Sequence, residues 1–127
     1  MGRRLLIVDD DARVTELLSR YLASVGYLTF SSLDAATAIQ LINEHEFDLL
    51  VVDSLPNFAS REVIIRFRQK YSKAPVILFT GNVSSEALRV ALEAGANLLL
   101  EKPLGMPEFS KEVERLLANA AGTKPQA

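Results

Sequence analysis

The feature that most restricts the fold of this chain is an alternation of short apolar runs with amphipathic helical patterns. The apolar runs lie at residues 5–8, 27–31, 49–52, 76–79 and 98–100. Most of these runs are continuous, as in parallel strands covered on both faces, whereas the second interleaves apolar and hydroxyl residues as an edge strand does. Because parallel strands need right-handed crossovers, the pattern predicts an α/β fold with a doubly wound five-stranded parallel sheet and five helices.

Residues typical of helix ends mark the boundaries of the helical patterns. Gly26 follows the first pattern, Asp34 precedes the second, and Pro107 lies in the first turn of the fifth. The helical periodicity fades near the end of the chain. We therefore expect one domain over residues 1–119 and a flexible tail, or the start of a linker, over residues 120–127.

Composition excludes several classes of site and partner. The 127 residues contain no cysteine, which excludes disulfides, thiolate catalysis and cysteine-ligated metals. The net charge is −2 and both signs are scattered along the chain, a pattern that disfavours direct binding of nucleic acid. No apolar run reaches the length of about 20 residues that a membrane span needs. We expect a soluble cytoplasmic protein without a membrane segment.

Polar residues follow four of the five apolar runs. They are Asp9, Asp10 and Asp11 after the first run, Asp53 after the third, Thr80 after the fourth and Lys102 after the fifth. With strand order 2-1-3-4-5, Asp53 stands on the central strand, about 4.8 Å from each neighbour, and a long side chain such as Lys102 spans the roughly 10 Å from the fifth strand. Open parallel sheets bind ligands beyond these carboxyl ends, so the residues predict a site there.

Carboxylates crowded at one sheet edge point to a metal ion. They repel one another, and a divalent cation removes that conflict. Oxygen ligands without histidine or cysteine are typical of Mg²⁺. A magnesium ion with Lys102 opposite it is suited to neutralising a phosphoryl group in transit to Asp53, because phosphoryl transfer requires mainly positioning and charge neutralisation.

Four motifs, taken together and in this order, resemble the receiver domains of bacterial two-component response regulators, including the chemotaxis regulators. The motifs are Leu5-Leu6-Ile7-Val8-Asp9-Asp10-Asp11, Leu49-Leu50-Val51-Val52-Asp53, Val76-Ile77-Leu78-Phe79-Thr80 and Glu101-Lys102-Pro103. The resemblance covers about residues 3–119 and implies a flavodoxin-like fold. It also implies a cis peptide bond between Lys102 and Pro103.

The resemblance assigns a role to each motif. Asp53 would be the phosphoacceptor, and Asp9 and Asp10 the acidic pair that holds Mg²⁺, with Asp10 as the direct ligand. Thr80 would hydrogen-bond a phosphoryl oxygen and Lys102 would pair with the phosphoryl group. The donor would be a sensor histidine kinase or a phosphotransfer protein. The output would pass from the face of the fourth helix, fifth strand and fifth helix to an effector domain or downstream protein, without turnover of an external substrate.

The chain departs from the family pattern at two places near these residues. Receivers usually have proline four residues after the phosphoacceptor, whereas Pro56 comes three residues after Asp53, so that Leu55 would supply the backbone carbonyl that binds the metal. Leu99 stands where receivers commonly carry a switching tyrosine or phenylalanine. Both departures favour a second hypothesis, a receiver-fold interaction module that signals without phosphate.

Three residues near these motifs fit different roles. Asp9 and Asp11 have the Asp-x-Asp spacing of haloacid dehalogenase-type phosphatases, which is a third hypothesis, although no later acidic pair follows another strand. Aspartate also caps helices, and we assign Asp11 to that role. His45 lies between two glutamates, and we expect it to be a solvated surface residue.

Overall fold

The alternating sequence pattern folds into alternating strands and helices. The computed structural model describes residues 2–81 and 84–122, and the element bounds below refer to these residues. The strands are β1 (Arg4–Val8), β2 (Leu28–Ser32), β3 (Leu49–Val52), β4 (Val76–Thr80) and β5 (Leu98–Glu101). The helices are α1 (Ala12–Ser24), α2 (Ala35–Glu44), α3 (Ala59–Lys70), α4 (Ser85–Ala94) and α5 (Met106–Gly122), and a 3₁₀ turn (Pro56–Phe58) precedes α3.

The strands form one parallel sheet in the order β2-β1-β3-β4-β5. The predicted fold class and strand order are confirmed. Val8 of β1 pairs with Val52 of β3, and Val52 in turn pairs with Leu78 of β4, so the three central strands end at nearly the same level. This register brings the residues that follow these strands to one edge of the sheet.

Apolar side chains cover the sheet on both faces, which explains why the central strands read as continuous apolar runs. Alternate residues point to opposite faces. On one face the strands pack against α2, α3 and α4 through a cluster that includes Leu6, Val8, Leu50, Val52, Leu78, Ile42, Val63, Phe67 and Ala91. On the other face they pack against α1 and α5 through a cluster that includes Leu5, Ile7, Val51, Ile77, Phe79, Leu18, Leu22, Phe109 and Val113. The two clusters hold the strands in place from both sides.

The helices begin and end where the capping residues predict. The Asp11 carboxylate accepts a hydrogen bond from the Arg13 amide at the start of α1, which confirms its capping role. Asp34 caps α2 in the same way through the Thr37 amide at 2.7 Å. Gly26 follows α1 with a φ of 110°, a conformation that favours glycine.

The last helix is longer than the sequence pattern indicated. α5 runs to Gly122, three residues past the domain end expected at residue 119. The domain boundary itself stays a prediction. Among the described side chains of α5, Leu117 is the last that is buried. Beyond it the helix continues because alanine, which has the highest helix propensity, occupies positions 118, 120 and 121. The rest of the expected tail, residues 123–127, lies outside the described residues. No helix in the described ranges is long and apolar enough to cross a bilayer.

Candidate functional site

Backbone hydrogen bonds of the sheet extend into the residues that follow the strands. The amide of Asp53 donates to the carbonyl of Val8 at 2.9 Å, and the amide of Lys102 donates to the carbonyl of Thr80 at 2.9 Å. The amide of Asp9 donates to the carbonyl of Ser32 at 3.1 Å. The ladder therefore fixes the backbone of the predicted site residues, and their side chains project from a rigid edge.

Three carboxylates meet at this edge. Oxygen atoms of Asp9, Asp10 and Asp53 all lie within 4.8 Å of one another. Asp9 is buried, with 3% of its surface exposed, Asp53 is partly buried and Asp10 is exposed. Three hard oxygen donors with one open side match the ligand preference of Mg²⁺. The donor set at this edge therefore fits the expected ion.

The amine of Lys102 reaches the carboxylates from β5. Its Nζ lies 2.6 Å from Asp9 Oδ2 and 3.1 Å from Asp53 Oδ2. Burial alone would lower the pKa of Lys102, but the hydrogen bonds to both carboxylates outweigh burial and raise this pKa above its ordinary value. The ammonium group therefore stays charged between the two carboxylates. The peptide bond between Lys102 and Pro103 is cis, as expected.

Asp9 has a different environment from its exposed neighbour Asp10. Burial raises the pKa of Asp9, although hydrogen bonds from the Lys102 amine and the Asp11 amide oppose the rise. Asp9 Oδ1 accepts from the Asp11 amide at 2.9 Å. The contact between Lys102 and Asp9 was not predicted, because the sequence pattern placed the lysine opposite the phosphoryl group and did not indicate which acid it would meet at rest.

Thr80 is buried beside the loop that follows β3, with 1% of its surface exposed. Its Oγ1 lies 2.8 Å from the hydroxyl oxygen of Ser54. The amide of Ser54 donates to Asp53 Oδ1 at 2.7 Å. Sequence reasoning treated Ser54 only as part of a turn signal. A serine directly after Asp53 was the available signal, but the direction of its side chain depends on the loop conformation.

The loop after β3 turns into α3 within a few residues. Leu55 is buried, and Asn57 has a φ of 58°, in the left-handed region that asparagine tolerates better than most residues. This conformation leads the shortened connection into α3. The role of the Leu55 carbonyl as a metal ligand stays a prediction.

Leu99, at the position where an aromatic switch residue was expected in receivers, is a packing residue here. It pairs with Leu78 in the register of β4 and β5. Its partly buried side chain packs against the cluster that joins the sheet to α2, α3 and α4. The position therefore carries no ring that would move with Thr80.

Two residues singled out in the sequence, His45 and Asp11, take no part in the acidic group. His45, the residue that closes α2, is half-buried with its ring 4.9 Å from the ring of Phe30, so it is less solvated than expected. The Asp11 carboxylate pairs with Arg13 at 3.3 Å and lies outside the acidic group that could hold a metal. Asp11 therefore gives no support to a phosphatase of the Asp-x-Asp type.

Comparisons with known proteins agree with this arrangement. A family model described as the response regulator receiver domain matches residues 5–114. Response regulator MprA of Mycobacterium bovis is 32% identical over 127 residues, which cover 99% of this chain and 54% of that protein. MprA of Mycobacterium ulcerans is 32% identical over 118 residues, which cover 92% of this chain and 51% of that protein. The chain thus spans about half the length of these curated relatives.

Solved structures share the fold over nearly the whole chain. A CheY-like receiver domain protein from Methanospirillum hungatei has a TM-score of 0.92 at 24% identity, over 98% of this chain and 100% of that chain. The BeF3-activated receiver domain of DrrB has a TM-score of 0.81 at 26% identity, over 93% of this chain and 99% of that chain. Since the family model matches most of its length and the site residues lie together at the sheet edge, this chain belongs to the response regulator receiver domain family.

Proposed function

We propose that this chain is a phosphorylation switch whose Asp53 accepts a phosphoryl group from a phosphohistidine. The donor would be a sensor histidine kinase or a phosphotransfer protein. The observation that carries the proposal is the Lys102 amine, held by Asp9 at 2.6 Å and directed at Asp53 at 3.1 Å. A cation held beside one carboxylate is suited to a reaction that brings more negative charge to that carboxylate.

The reaction exchanges one bond to phosphorus for another. A carboxylate oxygen of Asp53 attacks phosphorus, the new phosphorus–oxygen bond forms, and the phosphorus–nitrogen bond to the donor imidazole breaks. The imidazole leaves with the bonding electrons and takes up a proton. The reverse switch is hydrolysis: water attacks phosphorus, the bond to Asp53 breaks, and inorganic phosphate and the free carboxylate result. No external substrate is turned over repeatedly.

The chain's own residues position and neutralise the phosphoryl group. Lys102 supplies a positive charge that can shift from the Asp53 carboxylate to the phosphoryl oxygens. Asp9 keeps the amine at the site while this exchange occurs. The Thr80 hydroxyl, on the strand beside Asp53, donates a hydrogen bond to a phosphoryl oxygen. Such preorganised groups act without reorganisation during transfer.

The acidic group is also the expected magnesium site. Asp9, Asp10 and Asp53 offer carboxylate oxygens within 4.8 Å of one another, with Asp10 on the exposed side as the direct ligand. The Leu55 carbonyl is proposed as a further ligand. Bound Mg²⁺ supplies positive charge against the phosphoryl oxygens, which complements Lys102.

The output is proposed to pass through α4, β5 and α5 to an effector domain or a downstream protein. Phosphorylation would bias an equilibrium between two arrangements of this face. The related DrrB receiver domain was solved in a BeF3-activated form, and this small anion resembles a phosphoryl group in shape and charge. The MprA proteins are about twice as long as this chain, consistent with a receiver that works with a further domain.

A direct test is to incubate the chain with Mg²⁺ and acetyl phosphate or phosphoramidate and to weigh the intact protein. We expect a gain of one phosphoryl group that requires Mg²⁺ and disappears in Asp53→Asn. Asp11→Asn is the matched control, since asparagine caps a helix as well as aspartate does and the gain should persist. No gain in the wild type, or a gain that survives Asp53→Asn, contradicts the proposal.

A second candidate is an interaction module that keeps the fold but signals without phosphate. The short loop between Asp53 and Pro56 and the packed Leu99 favour it. Metal binding separates the two candidates, because a phosphate-independent module should bind no Mg²⁺ at millimolar concentration. We rank the phosphorylation switch first because Asp9, Lys102 and Asp53 are already in contact.

A further inference from the structure

Ser54 lies at the centre of a set of hydrogen bonds around the acceptor. Its amide donates to Asp53 Oδ1 at 2.7 Å, and its hydroxyl oxygen lies 2.8 Å from Thr80 Oγ1. Ser54 is partly buried and Thr80 almost fully buried. One residue therefore links the acceptor carboxylate, through its backbone, to the threonine of the neighbouring strand, through its side chain.

The direction of the hydrogen bond between the two hydroxyls determines whether Thr80 uses its hydrogen on Ser54. A hydroxyl has one hydrogen to donate and can accept two hydrogen bonds. If Thr80 donates to Ser54, its hydrogen is used within the loop. If Ser54 donates to Thr80, the threonine hydrogen can point to a phosphoryl oxygen, and the accepted bond polarises the hydroxyl and strengthens its donation.

We propose that Ser54 is a positioning residue for phosphoryl transfer, whose hydroxyl donates to Thr80 Oγ1 so that Thr80 donates its own hydrogen to the phosphoryl oxygen. This inference rests on the proposed function of Asp53. Ser54 acts through Thr80 and touches the reacting atoms only through its backbone amide.

The shortened loop gives a reason why this position is used. The loop from Asp53 enters α3 through Asn57, whose backbone has a left-handed conformation. In this loop the hydroxyl of Ser54 faces Thr80 of β4. The loop after Asp53 therefore brings a hydroxyl to within 2.8 Å of Thr80 Oγ1. The contact also means that a movement of Thr80 is transmitted directly to the acceptor loop.

The test is a double-mutant cycle on the rate of phosphorylation by phosphoramidate with Mg²⁺. Ser54→Ala is expected to slow phosphorylation by about three- to tenfold, the effect of one neutral hydrogen bond. Thr80→Val removes the threonine hydroxyl and keeps the side-chain shape. In the Thr80→Val background, Ser54→Ala is expected to change the rate by less than about twofold, because its partner is already lost.

Controls separate positioning from a general structural effect. Ser24→Ala removes a serine hydroxyl that donates to the Tyr21 carbonyl at the far end of α1, and it should leave the rate unchanged. The Mg²⁺ affinity of Ser54→Ala should equal that of the wild type. Circular dichroism verifies that each variant is folded. Ser54→Cys, which keeps the side-chain size with a weaker donor, should also be slower than the wild type.

The outcomes are distinguishable. A wild type that takes up no phosphoryl group contradicts the proposed function, and the role of Ser54 falls with it. A wild type that is phosphorylated while Ser54→Ala and Ser54→Cys react at the same rate overturns the inference alone. An equal loss from Ser54→Ala with and without the Thr80 hydroxyl also overturns it, because Ser54 would then act independently of Thr80.

Discussion

Lys102 Nζ lies 2.6 Å from Asp9 Oδ2, although 93 positions separate the two residues in the chain. The contact joins the ends of β1 and β5 across β3 and β4. It places a positive charge at the carboxyl edge of the sheet, beside Asp53. On the proposed function, the pair would organise the site both at rest and during phosphoryl transfer.

Replacing Lys102 should separate metal binding from phosphoryl transfer. Lys102→Met removes the ammonium group that neutralises transferred charge, and we expect phosphorylation by acetyl phosphate to slow by about a hundredfold. Mg²⁺ affinity should be at least that of the wild type, since the lysine competes with the metal for Asp9 and Asp53. Phosphorylation kinetics and a magnesium titration measure the two effects. Lys111→Met, at an exposed position of α5, is the control; weaker Mg²⁺ binding by Lys102→Met would contradict the prediction.

Asp10 should control stabilisation by the metal. In the wild type, Mg²⁺ at ten times its dissociation constant is expected to stabilise the fold by about 1.4 kcal/mol, as for any ligand that binds the folded state alone. Asp10→Asn should abolish most of this gain without lowering the stability of the metal-free protein, because Asp10 is exposed and its charge repels Asp9 and Asp53. Thermal unfolding with and without MgCl₂ measures both values. An unchanged magnesium-dependent shift in Asp10→Asn would argue against this ligand.

Arg68 should stabilise the fold far more than its neighbour Arg66. Its guanidinium donates to the carbonyls of Tyr71, Ala74 and Gly95 and to Asn97 Oδ1, which joins the ends of α3 and α4. Arg68→Ala should lower the free energy of unfolding by about 2–3 kcal/mol, since partly buried acceptors lose their donor.

Arg66 is the matched control for Arg68 on the same helix. It forms an exposed pair with Glu62 at 3.1 Å, and Arg66→Ala should cost under about 0.5 kcal/mol. Urea unfolding compares the two variants. Equal effects of the two substitutions would show that the hydrogen bonds of Arg68 contribute little.

Tyr27 should make stability fall in alkaline solution. Burial, with the nearby negative charge of Glu114, raises the pKa of its phenol above the ordinary 10.0, while Arg3 opposes the rise. Between the unfolded and the folded pKa, the unfolded chain loses the phenolic proton and the folded chain keeps it, so rising pH favours unfolding. Stability should therefore decline above pH 10 more steeply in the wild type than in Tyr27→Phe. Urea unfolding from pH 8 to 11 tests this; parallel curves would contradict it.

The sequence predicted the fold and the proximity of the candidate site residues, because both follow from strand periodicity. Asp9, Asp53, Thr80 and Lys102 each follow or end a strand, and a parallel sheet brings those ends to one edge. The contact between Ser54 and Thr80 could not be predicted, since it depends on the loop dihedral angles near Asn57. No periodic pattern encodes such angles.

Boundaries and local packing also limited the prediction. The end of α5 was missed because alanines continue a helix without the apolar spacing that marks its buried part. His45 was misjudged from its acidic neighbours in sequence, whereas its ring packs against Phe30 from another strand. The first difference comes from helix propensity and the second from a long-range contact, and the spacing of apolar residues indicates neither.

Helices cover both faces of the sheet, and this limits the directions from which a partner can approach Asp53. Among the described residues, exposed positions at this edge of the sheet come from four separate connections, at Asp10, Asn57, Gly81 and Pro103. On the proposed function, a phosphodonor that approaches along the strand axes would contact these short loops as it delivers its group. Residues that recognise the partner would then be neighbours of Asp53, and we expect a substitution in these loops to change both partner binding and phosphoryl transfer.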